Sequence, residues 1–211
     1  MTLAGKHALI TAGPTWEPID PVRVIANRSS GRQGFAIAAA AADAGARVTL
    51  VAGPVCLPTP EGIGRIDVET AEQMADAVFT ALPADVAILV AAVADWRVDM
   101  SSTKLKKADG PPQLKFVPTR DILAELGSSA QRPRLLIGFA AETNDVVEYA
   151  IAKRTKKGAD WLVANDVSGD VMGGHRNQVH LVTADGVADW PEGSKDDVAR
   201  RLIQEIADAL G

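Results

Sequence analysis

Residues 29–34, Ser-Ser-Gly-Arg-Gln-Gly, close a polar loop and open an alanine-rich run, and Asn27 and Arg28 stand just ahead of them. Small residues in such a turn let the backbone approach an anion, and the free N–H groups of a helix N-terminus then face it. Asn27, Arg28 and Arg32 give this anion site more to do than hold a nucleotide. Lys104, Lys106 and Lys107 cluster in a long loop. They suit charge neutralisation in a phosphoryl transition state, although such a cluster also reads as solvated surface. Lys153 and Lys157, spaced i, i+4, can clasp one polyanion from a helix face or simply complement the helix dipole. Asp95 ends an almost continuous apolar run. There a lone carboxylate can join Mg²⁺ beside substrate phosphates.

The elements that must position these groups alternate. Ala8–Ile10 is an apolar strand ending in the turn at Gly13-Pro14, then come the loop 15–30, the Ala-rich helix and a second strand at Val48–Val51. Arg65–Val68 can make a short strand. Ala71–Leu82 reads as a helix with Met74, Val78 and Leu82 on one face. Thr70 is its N-cap, with Gln73 three residues on. Val86–Val93 and Leu135–Ala141 are apolar enough to be central parallel strands. Asp145–Lys157 is helical and Trp161–Ala164 extended. Val179–Val182 and Gly186–Trp190 form a hairpin around Asp185-Gly186. Ser194 caps a last helix, 198–210, with Val198, Leu202 and Ile206 inward. The pattern predicts an α/β fold, a parallel sheet covered on both faces. Two stretches break the alternation, 15–30 and 96–121, and loops of that length in a compact domain are functional or mobile. The strand ends at Gly13, Gly53, Asp95, Glu142 and Asn165-Asp166 all fall where open α/β sheets place ligands. Each alone is more often a turn former or cap.

Composition sets the bounds. At 211 residues one domain, 1–211, is expected. A net charge of −5 argues against general nucleic-acid or membrane-surface binding. The single cysteine, Cys56, excludes an intrachain disulfide, fits a reducing cytosol, and is expected as a small buried hydrophobe near a strand end. No run reaches the ~20 apolar residues needed to cross a bilayer, and the N-terminus lacks a signal-peptide core, so a cytoplasmic location is expected. His7, His175 and His180 have no metal or triad spacing. The four tryptophans read as packing or interface residues.

A Walker A motif is absent. An NAD(P)-dependent oxidoreductase lacks support: Gly31 and Gly34 give only G-x-x-G, and the second strand ends Val51-Ala52-Gly53-Pro54 with no acid for a ribose hydroxyl. Tyr149 and Lys153 do have the Tyr-x-x-x-Lys spacing, but on a late helix. A non-catalytic nucleotide sensor also stays open, though it would not need two long decorated loops.

The stretches ITAGPTWEPIDPVRVIANRSSGRQGFAIA, AAVADWR, KLKK, IGFAAET and VANDV, in that order, resemble phosphopantothenate–cysteine ligase, in particular the ligase domain of the bacterial bifunctional coenzyme A biosynthesis flavoprotein. The resemblance spans residues 5–208. It implies a Rossmann-like, mostly parallel sheet with helices on both faces, a C-terminal β-hairpin and long active-site loops. It also implies a cytoplasmic homodimer that uses CTP and Mg²⁺. The carboxylate of 4′-phosphopantothenate would attack the α-phosphate of CTP to give an acyl-cytidylate, and L-cysteine would then displace CMP.

Residue by residue, Lys104 matches the lysine that stabilises the first half-reaction, and Asn27 the asparagine that holds the acyl-cytidylate. Asp95, the candidate metal ligand, matches a position beside the cytidine nucleotide, and Ala91 a base-adjacent position on its strand. Phe139, Lys153 and Lys157 match CTP contacts. Arg120, Asp121, Ile122 and Leu123 match a backbone segment of the same site. Gly13, Ser29, Ser30 and Gly31 would cradle triphosphate, and Arg23 and Arg28 would grip the substrate phosphate. Arg32 departs from the family's usual lysine after Ser-Ser-Gly. In bifunctional members a flavin-binding half precedes the ligase half. Here residue 1 already adjoins the ligase motifs, so no flavin is expected on this chain. Val22, Val24, Ile25 and Val98, in the long loops, would be exposed in a monomer, which favours a two-fold partner.

Overall fold

A computed structural model describes residues 2–142, 145–166 and 176–211. In chain order the elements are β1 (His7–Ala12), β2 (Trp16–Pro18), β3 (Val24–Ala26), α1 (Arg32–Asp43), β4 (Arg47–Ala52), β5 (Gly64–Asp67), α2 (Ala71–Thr80), β6 (Val86–Leu89), β7 (Trp96–Val98) and β8 (Phe116–Pro118). They continue with α3 (Ile122–Ser128), β9 (Leu135–Glu142), α4 (Val146–Lys157), β10 (Trp161–Asp166), β11 (Arg176–Val182), β12 (Val187–Asp189), β13 (Gly193–Ser194) and α5 (Lys195–Leu210).

Every residue of β1 is buried, as expected of a strand with helices on both faces. It pairs in parallel with β4 on one side and β6 on the other, Ile10 lying between Leu50 and Ile88. The sheet runs β12-β11-β10-β9-β6-β1-β4-β5, with β13 on β11. From β5 to β10 all pairs are parallel; β11 and β12 add an antiparallel edge, the expected hairpin. The chain walks outward from β1 to β4 and β5, then crosses back to begin β6. Strand order therefore reverses between β1 and β6, where open α/β sheets form a ligand crevice.

The two faces carry different helices. Phe35, Ile37, Ala38 and Ala41 of α1 and Val198, Leu202 and Ile206 of α5 pack on one face. Met74, Ala75 and Val78 of α2 and Ile122 and Leu126 of α3 pack on the other, with Ala150 of α4 beside β9 and β10. The Thr70 hydroxyl accepts from Gln73 N while the Gln73 side chain accepts from Thr70 N, the expected capping box.

Several expectations need correction. The apolar run 86–93 is a strand only as far as Leu89, because residues 90–94 leave the sheet to follow the loop after β1. Ala91 therefore lies past its strand rather than on it. The stretch 15–30 contains the hairpin β2–β3, and 96–121 contains the hairpin β7–β8. Cys56 is exposed, four residues past β4 in a loop with Pro54, Pro58 and Pro60. Val98 is buried, unlike Val22 and Val24. His7 is a satisfied core residue, bonded to Pro83 O and the Thr49 hydroxyl. His180 pairs with Asp189 across the edge hairpin. His175, and the Thr143 and Val167 ends of two family-like motifs, lie outside the described residues. None of the helices among the described residues is long and apolar enough to cross a membrane.

Candidate active site

The site begins where β1 and β6 stop being strands. Thr11 and Thr15 are buried, and their hydroxyls accept the N–H groups of Ala91 (3.2 Å) and Ala94 (2.9 Å). Ala92 N donates to Gly13 O at 2.9 Å, and Pro14 bridges to Ala92 in parallel. Two buried threonines thus zip the loop after β1 to the loop after β6. Buried hydroxyls and N–H groups that satisfy one another make such loops rigid.

Onto this platform folds Asn27. Its Nδ2 donates to Val93 O at 3.0 Å and Ala92 O at 3.5 Å, while the residue stays exposed. Asp95 is exposed two residues on; Thr119 N donates to its carbonyl at 3.1 Å, and the Thr119 hydroxyl to Ala94 O at 2.5 Å. Asn27, residues 91–95 and the start of the 119–123 segment therefore meet at one rim. The β2–β3 hairpin behind Asn27 is fixed to α2: buried Glu17 accepts Ala71 N at 2.8 Å, and Trp16 N donates to Glu69 O at 2.7 Å.

The expected anion cradle lies beside this rim. Gly31 is the N-cap of α1 in the left-handed region (φ 74°), which only glycine adopts without strain. The Ser29 hydroxyl accepts Gly31 N at 3.3 Å. Among the described residues no side chain caps the helix, and its first turn holds no acid, so its dipole favours an anion there. Gly34 lets the helix lie close on β1: a Cβ there would come within 2.5 Å of the Ala12 Cβ.

A second group forms between α3 and α4. Asp121 caps α3, accepting Ala124 N at 3.1 Å, and pairs with Lys157. Burial works to raise the pKa of this carboxyl, but Lys157, the Ala124 N–H and Lys153 outweigh it and hold it below the ordinary carboxylate value. The two lysines thus share a face, as their spacing requires. The Arg120 side chain is not free for a nucleotide. It pairs with Glu125, Glu72 (3.1 Å) and Asp76 (2.9 Å) and lies over Phe79, which ties α2 to α3. Hydrogen bonding to Glu125 foremost, then Glu72 and Asp76, pushes its pKa upward. What remains available at 120–123 is backbone. Phe139 is half-buried and packs towards the α1 and α5 face, opposite the α3 and α4 side. It can join Lys153 and Lys157 only above the strand ends.

The remaining expected residues sit on the loops. Lys104 is exposed in the stretch between β7 and β8. Arg23 is engaged: Nη1 lies 3.2 Å from Asp20 and Nη2 donates to Leu105 O at 3.0 Å. Arg28 and Ser30 are exposed. Among the described residues no three His, Cys, Asp or Glu side chains group as a metal site. Sequence reading missed Thr11, Thr15, Glu17, Asp20 and Thr119. Only their polarity inside or beside apolar runs marked them.

An open, mostly parallel sheet with helices on both faces and its order reversed between β1 and β6 defines a Rossmann-like fold. Residues 3–210 match the family described as DNA/pantothenate metabolism flavoprotein C-terminal domain, and the chain belongs to that family. The Vibrio vulnificus coenzyme A biosynthesis bifunctional protein CoaBC is 44% identical over 215 residues, covering 99% of this chain and 54% of the relative. The chain thus spans about half the length of the curated relatives it matches. A crystal structure of the C-terminal domain of a CoaBC protein superposes with a TM-score of 0.84 at 41% identity, covering 98% of this chain and 96% of that one. A Cab2 mutant in complex with phosphopantothenate-cysteine shares the fold at 16% identity, with a TM-score of 0.79 over 97% of this chain and 87% of that one.

Proposed function

We propose that residues 1–211 act as one phosphopantothenate–cysteine ligase unit that uses CTP. The carboxylate of 4′-phosphopantothenate attacks the α-phosphate of CTP and releases pyrophosphate. The amine of L-cysteine then attacks the acyl-cytidylate, releasing CMP and 4′-phosphopantothenoyl-L-cysteine. The observation that carries the reading is Asn27 held on the Ala92 and Val93 carbonyls at the β1/β6 reversal, in a chain of this family. The names of the relatives, coenzyme A biosynthesis and a phosphopantothenate-cysteine complex, support it.

The residues divide the work. The N-terminus of α1, with Ser29, Ser30 and Gly31, receives phosphate. Lys153 and Lys157 draw in the nucleotide, beside the backbone of 120–123 and Phe139. Lys104 offsets the charge that builds as one anion attacks another. The Asn27 amide keeps one N–H on Val93 O, the N–H on the longer 3.5 Å bond to Ala92 O can shift to an oxygen of the acyl-cytidylate, and the amide oxygen can accept from the incoming amine. Asp95, exposed at the rim, fits Mg²⁺, which takes one or two carboxylates plus substrate phosphates. That ion would supply further charge neutralisation. A cytoplasmic setting belongs to the same proposal.

Pyrophosphate release separates this reading from nucleotide sensing or hydride transfer. With phosphopantothenate and Mg²⁺ present, CTP should support release at least about tenfold better than ATP, a difference of ~1.4 kcal/mol in the transition state. Equal rates would overturn the CTP assignment. Release without phosphopantothenate, or none with it, would overturn the ligase.

The working form is a homodimer on this reading. Val22 (63% exposed), Trp96 (53%) and Phe116 (54%) place apolar surface on the two hairpins beside the site. A partner copy would bury that surface and keep water from a hydrolysable acyl-cytidylate. Analytical ultracentrifugation at assay concentration should give a dimer; a fully active monomer would refute it.

A further inference from the structure

Asp20 is a buried carboxylate that the reaction above leaves without a role. It sits in the turn of the β2–β3 hairpin, and only 2% of it is exposed. A charge withdrawn from water is costly unless hydrogen bonds and a counter-charge match it. Here both are present. One oxygen accepts Val22 N at 2.8 Å and Arg23 N at 2.9 Å. The other accepts Leu105 N at 3.1 Å and faces Arg23 Nη1 at 3.2 Å. Arg23 completes the ring by donating from Nη2 to Leu105 O at 3.0 Å.

The reach of these bonds is telling. Val22 and Arg23 are local, as in any Asx turn. Leu105 is not: it belongs to the segment between β7 and β8. A few residues back on that segment, Ser101 N donates to Ile19 O at 2.9 Å. Ser101 and Leu105 are thus both pinned to the hairpin turn, and the short span between them ends on exposed Lys104. The hairpin is itself fixed to α2 through Glu17 and Trp16. An exposed lysine on a free loop would have to be ordered at each turnover; a pinned span meets that entropy in advance. Asparagine could not take over. It keeps one accepting oxygen and turns an NH₂ group either on the Val22 and Arg23 N–H pair or on Leu105 N–H together with the guanidinium.

We propose that Asp20 is the positioning residue for Lys104, holding the span 101–105 against the β2–β3 turn so that the ammonium group stays on the reacting phosphate. What Lys104 does there rests on the ligase reading; the tether does not.

Three measurements on the whole chain test it. In Asp20→Asn, kcat for pyrophosphate release should fall about 30-fold, within the usual cost of a misplaced group, while KM for CTP changes less than about 3-fold. In a Lys104→Gln background the same change should add almost nothing, because the two residues act as a unit. Trypsin should cut Asp20→Asn faster at Lys104, Lys106 and Lys107 and leave the rest of the fold as resistant as before. Full activity in Asp20→Asn, an equal loss in both backgrounds, or unchanged tryptic cutting would overturn the proposal. Should Asp20→Asn not fold, hydrogen exchange on the unmodified chain decides. The Leu105 amide should exchange more slowly than that of Lys106, and equal rates would overturn the tether. A chain that never releases pyrophosphate would sink the ligase reading instead, with proteolysis and exchange still judging the tether.

Discussion

Pyrophosphate release from CTP should fall by about 10²–10³-fold when Lys104 is replaced by glutamine, the usual cost of removing one preorganised group from developing charge. Glutamine keeps much of the length and can still donate a hydrogen bond, so the loss isolates the charge. Ground-state binding of CTP has other contributors, the α1 N-terminus and Lys153 and Lys157. KM for CTP should therefore move far less than kcat, the signature of an interaction made mainly in the transition state. Lys106 and Lys107 serve as internal controls: neither is pinned as the 101–105 span is, and their glutamine variants should keep most of the activity. Measured release in Lys104→Gln close to that of the unmodified chain would refute its role.

Asn27→Asp should separate the half-reactions. The side chain at 27 now donates to two carbonyls, Val93 O and Ala92 O. A carboxylate cannot donate, and it would be repelled by both oxygens and by the phosphates next to it. The residue should swing off the platform, leaving the activated acid without its amide contact. Lys104 and the α1 N-terminus are untouched, so the variant should still release about one equivalent of pyrophosphate per site. It should then stall, with phosphopantothenoylcysteine formed about 10²-fold more slowly, as for loss of one hydrogen-bonding group in an active site. Trapping of a cytidylate adduct by mass spectrometry with labelled CTP would register the stall. Normal product formation would remove Asn27 from the cysteine step.

The regular part of the fold was legible because its signals are long or redundant. Met74 and Val78 recur at helical spacing behind a Thr70–Gln73 box, and β9 is apolar at nearly every position. What failed has a common physical cause: elements whose stability lies outside their own residues. The strands Trp16–Pro18, Val24–Ala26, Trp96–Val98 and Phe116–Pro118 are three residues each, too short for alternation to register. They are held by Glu17 on α2 and by Thr119 on Ala94. Helix α3 is seven residues with Gly127 inside it, and owes its place to Arg120 reaching Glu72 and Asp76. The run 86–93 is apolar throughout, so nothing in it marks Leu89 as its last strand residue; Thr11 and Thr15, far back in sequence, do. At the candidate site, Asn27, Lys104, Asp95 and the α4 lysines stood out by residue type, spacing and position, and the family-like motifs supplied their expected roles. Their platform of buried threonines and Asp20 did not stand out, since a polar residue within or beside an apolar run has no period to betray it.

The return of the chain from β5 to β6 splits the crevice by ancestry in the chain. Gly13, Asn27 and the Ser29–Gly31 turn all come from the first winding of the fold; Phe139, Asp121, Lys153 and Lys157 all come from the second. The two zipped loops join them at the crevice, above the paired strands β1 and β6. On the proposed reaction, the choice of nucleotide belongs to one winding and the fate of the activated acid largely to the other. A lineage could then exchange its energy currency by drift in α3 and α4 while the chemistry of the amide bond stood still.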